Sequence, residues 1–230
     1  MTPPTLTCEN VLVRYEHNTT PVLSLACLSL HEGERVALLG LNGSGKTTFL
    51  QAIAGLIHFQ GSITVCGIRV EPSQLSELRK HIGFLFSTPE DQLLLPVVID
   101  DVAFSLRSDP ISKEERRLRS MAILKEVNAH HLADCAPSQI SHGEQLRVAI
   151  AGALVSQPRL VLLDEPSAGL DPPARKQLAS YLASIPSTML IATHDLPFAR
   201  RCCTRFLVLE NGGILTDTDD PAHLEVSWEG

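Results

Sequence analysis

Gly40-Leu41-Asn42-Gly43-Ser44-Gly45-Lys46-Thr47 places three glycines ahead of a Lys-Thr pair, directly after the apolar run Val36-Ala37-Leu38-Leu39 and at the start of a stretch, residues 47–56, with helical propensity. That order leaves the chain few ways to fold. A buried strand has to stop at Gly40, the backbone has to turn with no side chain in its path, and a helix has to begin at once. Successive N–H groups in such a turn curl around an anion, and the positive end of the helix points at the same place. Lys46 adds a mobile charge for terminal phosphates, and the Thr47 hydroxyl is suited to holding Mg2+. Gly40, Asn42, Gly43, Ser44, Gly45, Lys46, Thr47 and Thr48 together read as a nucleotide-binding loop.

Residues 160–165, Leu-Val-Leu-Leu-Asp-Glu, supply the matching second half. An apolar strand ending in Asp164 brings a carboxylate to the sheet edge that carries the loop, within reach of a Mg2+ shell. Glu165 then faces the position from which water attacks a γ-phosphate. Alone, such an ending is an ordinary strand meeting a solvated turn, and only the neighbouring loop changes its meaning. The rest of the pattern is consistent. Two strand-like stretches over residues 6–31 flank a polar turn at 16–20, and residues 63–68 and 82–86 read as strands. Residues 72–80 suggest a short helix opened by Ser73, and 87–101 a long connection with Pro89 and Pro96. Residues 111–135 turn charged and helical, with Ser112 and Glu115 at capping-box spacing and Leu118, Met121, Ala122 and Val127 as the apolar face. Short apolar strands at 160–163, 188–192 and 206–209 follow, separated most clearly by a helix at 173–184. Strands alternating with helices predict an α/β fold with a mostly parallel sheet and helices on both faces.

Composition removes other classes. Nineteen Lys plus Arg against 26 Asp plus Glu leave a net charge of −7, so there is no basic footprint for nucleic acid. Apolar runs such as 148–155 fall well short of the roughly 18 to 20 residues of a membrane span. The opening Met1-Thr2-Pro3-Pro4 has no signal-peptide character, which predicts a soluble intracellular chain. The six cysteines show no C-x-x-C spacing; Cys202 and Cys203 read as two half-buried thiols at a helix end. His130 and His131 read as the end of a solvated helix, and His58 as part of a loop.

Three further segments carry a family resemblance. Ile140-Ser-His-Gly-Glu-Gln145 runs into an apolar helix-forming stretch, Ser167-Ala-Gly-Leu-Asp171 follows the Asp164 strand, and Ala192-Thr-His194-Asp195 closes the next one. In order and spacing they resemble the signature loop, D-loop and switch histidine of ABC-type ATPases along nearly the whole chain. The residues have a reading of their own as well: Ser141 and Glu144 form a capping box, which is sufficient reason for a well-started helix. The resemblance implies a second duty, in which the N–H groups at Ser141 and Gly143 bind the γ-phosphate of a nucleotide held by another subunit. It also implies one ABC ATPase domain over 1–230, with an ATP-binding core and N-terminal antiparallel β subdomain at about 1–86 and 157–230, and a Q-loop and helical signature subdomain at 87–156. Tyr15 resembles the aromatic that stacks on adenine; from its neighbours alone it is equally a strand core residue. Catalysis would rest on Glu165, His194 and Lys46, with ATP and Mg2+ bound and the metal held by Thr47, Asp164 and Ser87.

Residues 82–93, 100–104 and 147–152 look like those of energy-coupling-factor and cobalt/nickel importer ATPases. That likeness implies an ATPase subunit at the cytoplasmic face of a membrane, peripheral, powering an importer of metal ions or vitamins. Its partners would be transmembrane transporter subunits, a second ATPase subunit of the same or a different chain, and a separate substrate-capture membrane protein, with no nucleic acid. Other classes fit less well. A soluble ABC-type ATPase of DNA repair would need a long insertion, and the 95 residues between Lys46 and Ser141 leave no room for one. A non-hydrolysing regulatory module conflicts with Asp164, Glu165 and His194.

Two segments depart from the family pattern. Ser87 stands where most members carry the Q-loop glutamine, which shortens the reach to a metal and implies weaker coupling or slower turnover; Gln92, five residues on, is not read as its replacement. His142 occupies the first signature glycine, with Glu144 at the usual glutamine. The imidazole either points away from the nucleotide or adds a donor near the γ-phosphate held in trans.

Overall fold

The structure is a computed structural model that describes residues 3–15 and 20–224. The chain opens with β1 (Leu6–Val13) and β2 (Leu23–Leu30), and most of the polar turn expected between them lies outside the described residues. β3 (Arg35–Leu39) leads into α1 (Lys46–Ile53). β4 (Gln60–Val65) and the two-residue β5 (Ile68–Arg69) follow, joined by a turn in which Cys66 and Gly67 both have positive φ. The single strand read at 63–68 is therefore a hairpin. A 3-10 turn at Pro72–Gln74 passes into α2 (Leu75–Leu78), and then comes β6 (Ile82–Leu85). The chain enters that helical stretch from Glu71, and Ser73 donates its hydroxyl to the Glu71 carboxylate at 2.8 Å, so Ser73 does not open it.

The connection after β6 is more ordered than its prolines suggest. It holds a 3-10 turn at Pro89–Asp91, and α3 (Val98–Phe104) begins inside it, packing Val98, Ile99 and Val102 into the core. α4 (Lys113–Glu126) starts as expected, with the Glu115 N–H donating to Ser112 Oγ at 3.0 Å. The reciprocal half of the capping box is absent, because Glu115 accepts instead from Arg119 Nε at 2.7 Å. The buried face of α4 matches its apolar residues only in part: Val127 is buried and Met121 packs against the core. Ser120 and Leu124 are buried, whereas Leu118 and Ala122 are exposed. Ser120 tolerates burial by donating to the Arg116 carbonyl one turn back. His130 lies beyond α4 in a separate 3-10 turn, His130–Leu132.

The last third comprises α5 (His142–Leu154), β7 (Leu160–Asp164), α6 (Pro172–Ser184), β8 (Thr188–Thr193), α7 (Leu196–Cys202), β9 (Arg205–Glu210) and β10 (Gly213–Thr218). β10 was not legible as a strand. It is an edge strand with no fully buried residue and a register irregularity against β9 between Ile214 and Thr216, so it lacks an apolar run. Cys202 and Cys203, at the end of α7, are both buried, more deeply than expected.

Two sheets result. One has the order β2-β1-β4-β5 and is antiparallel; the other has the order β10-β9-β3-β8-β7-β6, parallel throughout except for β10. Both faces of the parallel sheet are covered, which is why β7 and β8 are buried at every residue. Val36, Leu38, Leu160, Leu162 and Leu190 face α1 and the antiparallel sheet. Ala37, Leu39, Val161, Leu163 and Ile191 face the side of α5, α6 and α7.

α5 lies hard against β6 at Gly83, where an added Cβ would come 2.1 Å from the Ala153 carbonyl oxygen and 2.8 Å from Pro158 Cγ. No rotamer relieves a clash with backbone. Gly83→Ala is expected to destabilise the fold by about 1–3 kcal/mol, the scale of overpacking a closed core, read as a lower urea midpoint.

Candidate functional site

The parallel ladder delivers three chain segments to one edge. Leu39 sits opposite Thr193, and Asp164 opposite Ala192, so Gly40, Glu165 and His194 are the residues with which neighbouring strands leave the sheet. This is the carboxyl edge at which open α/β sheets place their ligands.

The loop after β3 has the backbone its glycines promised. Gly43 and Gly45 have φ of 83° and 107°, in the left-handed region that side chains disfavour, and a Cβ on Gly45 would lie 3.0 Å from the Val22 carbonyl oxygen. Gly45 is also the N-cap of α1 and has no side chain to cap it, so the first N–H groups of the helix remain available to an anion. Lys46 is buried, and its Nζ donates to the carbonyls of Gly40 (2.7 Å) and Leu41 (3.2 Å). The same ammonium lies 3.8 Å from Glu165 Oε1. Ser44 Oγ is buried with no hydrogen-bond partner.

Thr47 and Asp164 meet across the edge: the threonine hydroxyl donates to Asp164 Oδ2 at 2.7 Å. The other oxygen, Oδ1, is buried and unpartnered. Burial pushes the Asp164 carboxyl above the usual range; the hydrogen bond from Thr47 and the charge of Lys46 oppose that shift, while the charge of Glu165 adds to it. An orphaned carboxylate oxygen beside a hydroxyl is a pair of hard oxygen donors, and this set fits Mg2+.

Glu165 has φ 50°, which is strained for a residue with a side chain, and its N–H donates to the Ala192 carbonyl at 2.8 Å. Three donors converge on its Oε2: His194 Nδ1 at 3.0 Å, Thr193 Oγ1 at 3.1 Å and the His194 N–H at 3.4 Å. Thr193 was not singled out in the sequence, although its place next to His194 was the available signal. Tyr15 lies past the end of β1 and is half-exposed, its hydroxyl 3.3 Å from Thr48 Oγ1; it is a residue of the site's margin and not of a strand core.

Three expected site residues, Ser87, Ser141 and Gly143, lie apart from this group. Ser87 is exposed after β6 and joins none of these hydrogen bonds. Gln92 is fully engaged with the backbone, donating to the Phe84 carbonyl and accepting from the Phe86 N–H, each at 3.1 Å. Ser141 and Gly143 begin α5, where Glu144 Oε2 accepts both the Ser141 N–H (2.8 Å) and its hydroxyl (2.7 Å). These bonds hold the Glu144 carboxyl below the usual range. His142 turns its Nδ1 to Glu90 Oε1 at 2.9 Å. Asp171 caps α6 through the Ala174 N–H at 2.8 Å. The turn before it is braced by Asp195, which accepts from Ser167 Oγ at 3.3 Å and pairs with Arg175 at 3.1 Å.

A phosphate-cradling loop, a metal-ready Thr-Asp pair and an oriented glutamate on one sheet edge define a nucleoside triphosphatase of the phosphate-loop class. The chain belongs to the ABC transporter family, whose sequence pattern matches residues 23–168, and it is an ATP-binding cassette with ATPase activity. It is 34% identical over 222 residues to an energy-coupling factor transporter ATP-binding protein, EcfA1 of Levilactobacillus brevis, covering 94% of this chain and 79% of that one. Its fold is similar to that of cbiO1 from Clostridium perfringens, part of the ABC transporter complex cbiONQ, with a TM-score of 0.84, 30% identity and coverage of 98% and 92%. It is equally similar to the dimeric cassette MJ0796 in a post-hydrolysis state bound to ADP and Pi, with a TM-score of 0.85, 29% identity and coverage of 93% and 97%.

The raised carboxyl of Asp164 has a consequence for stability. Its folded pKa lies above its unfolded one, so the folded state loses stability as pH rises from the ordinary carboxylate range, and the penalty is complete once pH has passed that raised value. Asp164→Asn is therefore expected to raise the melting temperature of the nucleotide-free chain by a few degrees at pH 7, with the gain vanishing below the ordinary aspartate range. Thermal melts at the two pH values check this.

Proposed function

We propose that this cassette is the ATP-hydrolysing subunit, peripheral at the cytoplasmic face, of a membrane importer of the energy-coupling-factor or cobalt/nickel type that takes up metal ions or vitamins. The observation that carries the ATPase half is the Glu165 carboxylate, held by His194 and Thr193 beside Lys46 and the Thr47–Asp164 pair. The importer half rests on the likeness to EcfA1 and to cbiO1. No helix among the described residues is long and apolar enough to cross a membrane, so a transport path would have to come from transmembrane partners.

In this reading ATP lies on the loop from Gly40 to Thr48, with Asn42, Gly43 and Gly45 presenting backbone to the phosphates and Tyr15 beside the base. Lys46 exchanges its carbonyl partners for the β- and γ-phosphates. Thr47 and Asp164 would hold Mg2+, and Ser87 would reach it only through a bridging water. When bound, Mg2+ neutralises charge on the phosphate oxygens. A second cassette presents Ser141, whose N–H and hydroxyl exchange Glu144 for phosphate, and the Gly143 N–H to the γ-phosphate, and closes the site. Glu165 accepts a proton from the attacking water, while His194 holds the carboxylate in line and contacts the γ-phosphate. Positioning and charge neutralisation account for most of the acceleration.

Glu165→Gln should keep ATP binding and lower hydrolysis about 10²-fold or more, the scale of a lost general base, as measured by phosphate release. Turnover near that of the parent would remove Glu165 from this role. The transport assignment is checked separately, by the membrane proteins that co-purify with the tagged chain from gently solubilised membranes. Recovery without any integral membrane partner would contradict it.

A further inference from the structure

We propose that His142 is a positioning residue that clamps the start of α5 to the two segments bordering it, and so sets how the signature turn is presented to a second cassette. The imidazole sits between two loops. On one side its Nδ1 lies 2.9 Å from Glu90 Oε1, in the Pro89–Asp91 turn that follows β6. An ionised carboxylate only accepts, so Nδ1 carries the proton. On the other side the ring covers Gly169, in the turn between β7 and α6. A Cβ at Gly169 would lie 2.8 Å from His142 Cδ2 and 3.2 Å from Nε2, so no larger residue fits beneath the ring.

Both flanking loops are themselves anchored to the sheet edge that carries the nucleotide site. The Glu90 turn is tied back to the end of β6 by the Gln92 amide. The Gly169 turn begins just after Glu165 and is braced against Asp195 by Ser167 and Arg175. His142 is thus the side chain through which the first turn of α5 meets the loops after β6 and β7. A glycine at this position, as in the family's usual signature, has no side chain to make either contact. The other charged groups nearby are occupied: Glu144 accepts from Ser141 and lies 3.8 Å from His131, and Asp171 caps α6. Glu90 is therefore the acid that His142 meets.

This inference rests on the reading that Ser141 and Gly143 serve a nucleotide held in trans. It assigns His142 no contact with phosphate. Its effect is to hold the Ser141–Gly143 N–H groups in one orientation relative to the chain's own Glu90 and Gly169 loops, so that filling one site and presenting the signature to the other are mechanically linked. The pair is about half exposed, 45% for His142 and 46% for Glu90, so removing either side chain leaves the core intact.

The test uses the full chain carrying Glu165→Gln, with MgATP-driven pairing followed by sedimentation and ATP binding to the single chain by a fluorescent analogue. His142→Ala and Glu90→Ala are each expected to weaken pairing about two- to five-fold per clamp, the range of an exposed ion pair, with the double variant no worse than either single one. Nucleotide binding to the single chain should stay unchanged. His142→Asn, whose amide nitrogen can still donate to Glu90, should restore most of the pairing. If the parent pairs and Glu90→Ala pairs equally well, or if the two losses add, the clamp is refuted. A parent that never pairs with MgATP refutes the two-cassette reading itself and leaves the clamp without a purpose.

Discussion

The parallel pairing of β3, β8 and β7 is the constraint on which the site depends. Covered on both faces, these strands are apolar along their middles, with polar residues confined to their ends: Arg35 and Thr188 where β3 and β8 enter the sheet, Asp164 and Thr193 where β7 and β8 leave it. Asp164 and Thr193 are the last residues of their strands, and Glu165 and His194 the first beyond them. The register that sets Asp164 beside Ala192 and Leu39 beside Thr193 therefore decides which functional groups become neighbours. Within that ladder a one-residue slip would turn Asp164 into the opposite face and bury it against hydrocarbon, which the cost of an unpaired charge forbids. The register is held by the same apolar alternation that builds the two cores.

In the nucleotide-free chain the site satisfies its charges with internal substitutes. Carbonyls of Gly40 and Leu41 occupy Lys46, the Asp164 carboxylate occupies the Thr47 hydroxyl, and Thr193 with His194 occupies Glu165. The bonds of Lys46 and Thr47 are ones that a phosphate oxygen or a metal ion would replace in kind, while those to Glu165 hold its carboxylate in place. Groups already aimed and partly desolvated need little reorganisation, which is the physical content of a preorganised site. What the protein does not satisfy internally is equally informative. Asp164 Oδ1 and Ser44 Oγ are buried without partners, both at the place where phosphate and metal would lie.

The residues that were legible in the sequence are those whose chemistry is local. The loop from Gly40 to Thr47 works through its own backbone and the helix it starts, so its residue types and spacing suffice. Asp164, Glu165 and His194 lie at the ends of apolar runs that are visible one strand at a time. The illegible features depend on distant partners. Glu90 and His142 are 52 residues apart, and nothing near either one announces the other. Leu118 belongs to the apolar stripe of α4 yet is exposed, because that helix packs through Ser120, Met121 and Leu124, a face its neighbours choose. β10 lacked a signal because an edge strand paired on one side needs no apolar run. α3 was hidden by prolines that lie before its first turn.

The two departures from the family pattern fall on one side of a physical division. The groups proposed to hold and cleave a nucleotide sit at strand ends and on the first turn of α1, beside the two cores. Ser87 and His142 instead belong to the loop after β6 and the first turn of α5, where the bonds are those of Gln92 to the β6 end and of His142 to Glu90, and the His142 ring lies over Gly169. Substitution in the first group would remove a ligand with no neighbour able to replace it. In the second group the function is relative placement, and an imidazole-carboxylate pair can set that as well as a backbone contact can. On the proposed reading, chemistry in this cassette is bound to the sheet, while placement of the signature turn rests on the surface pair of His142 and Glu90.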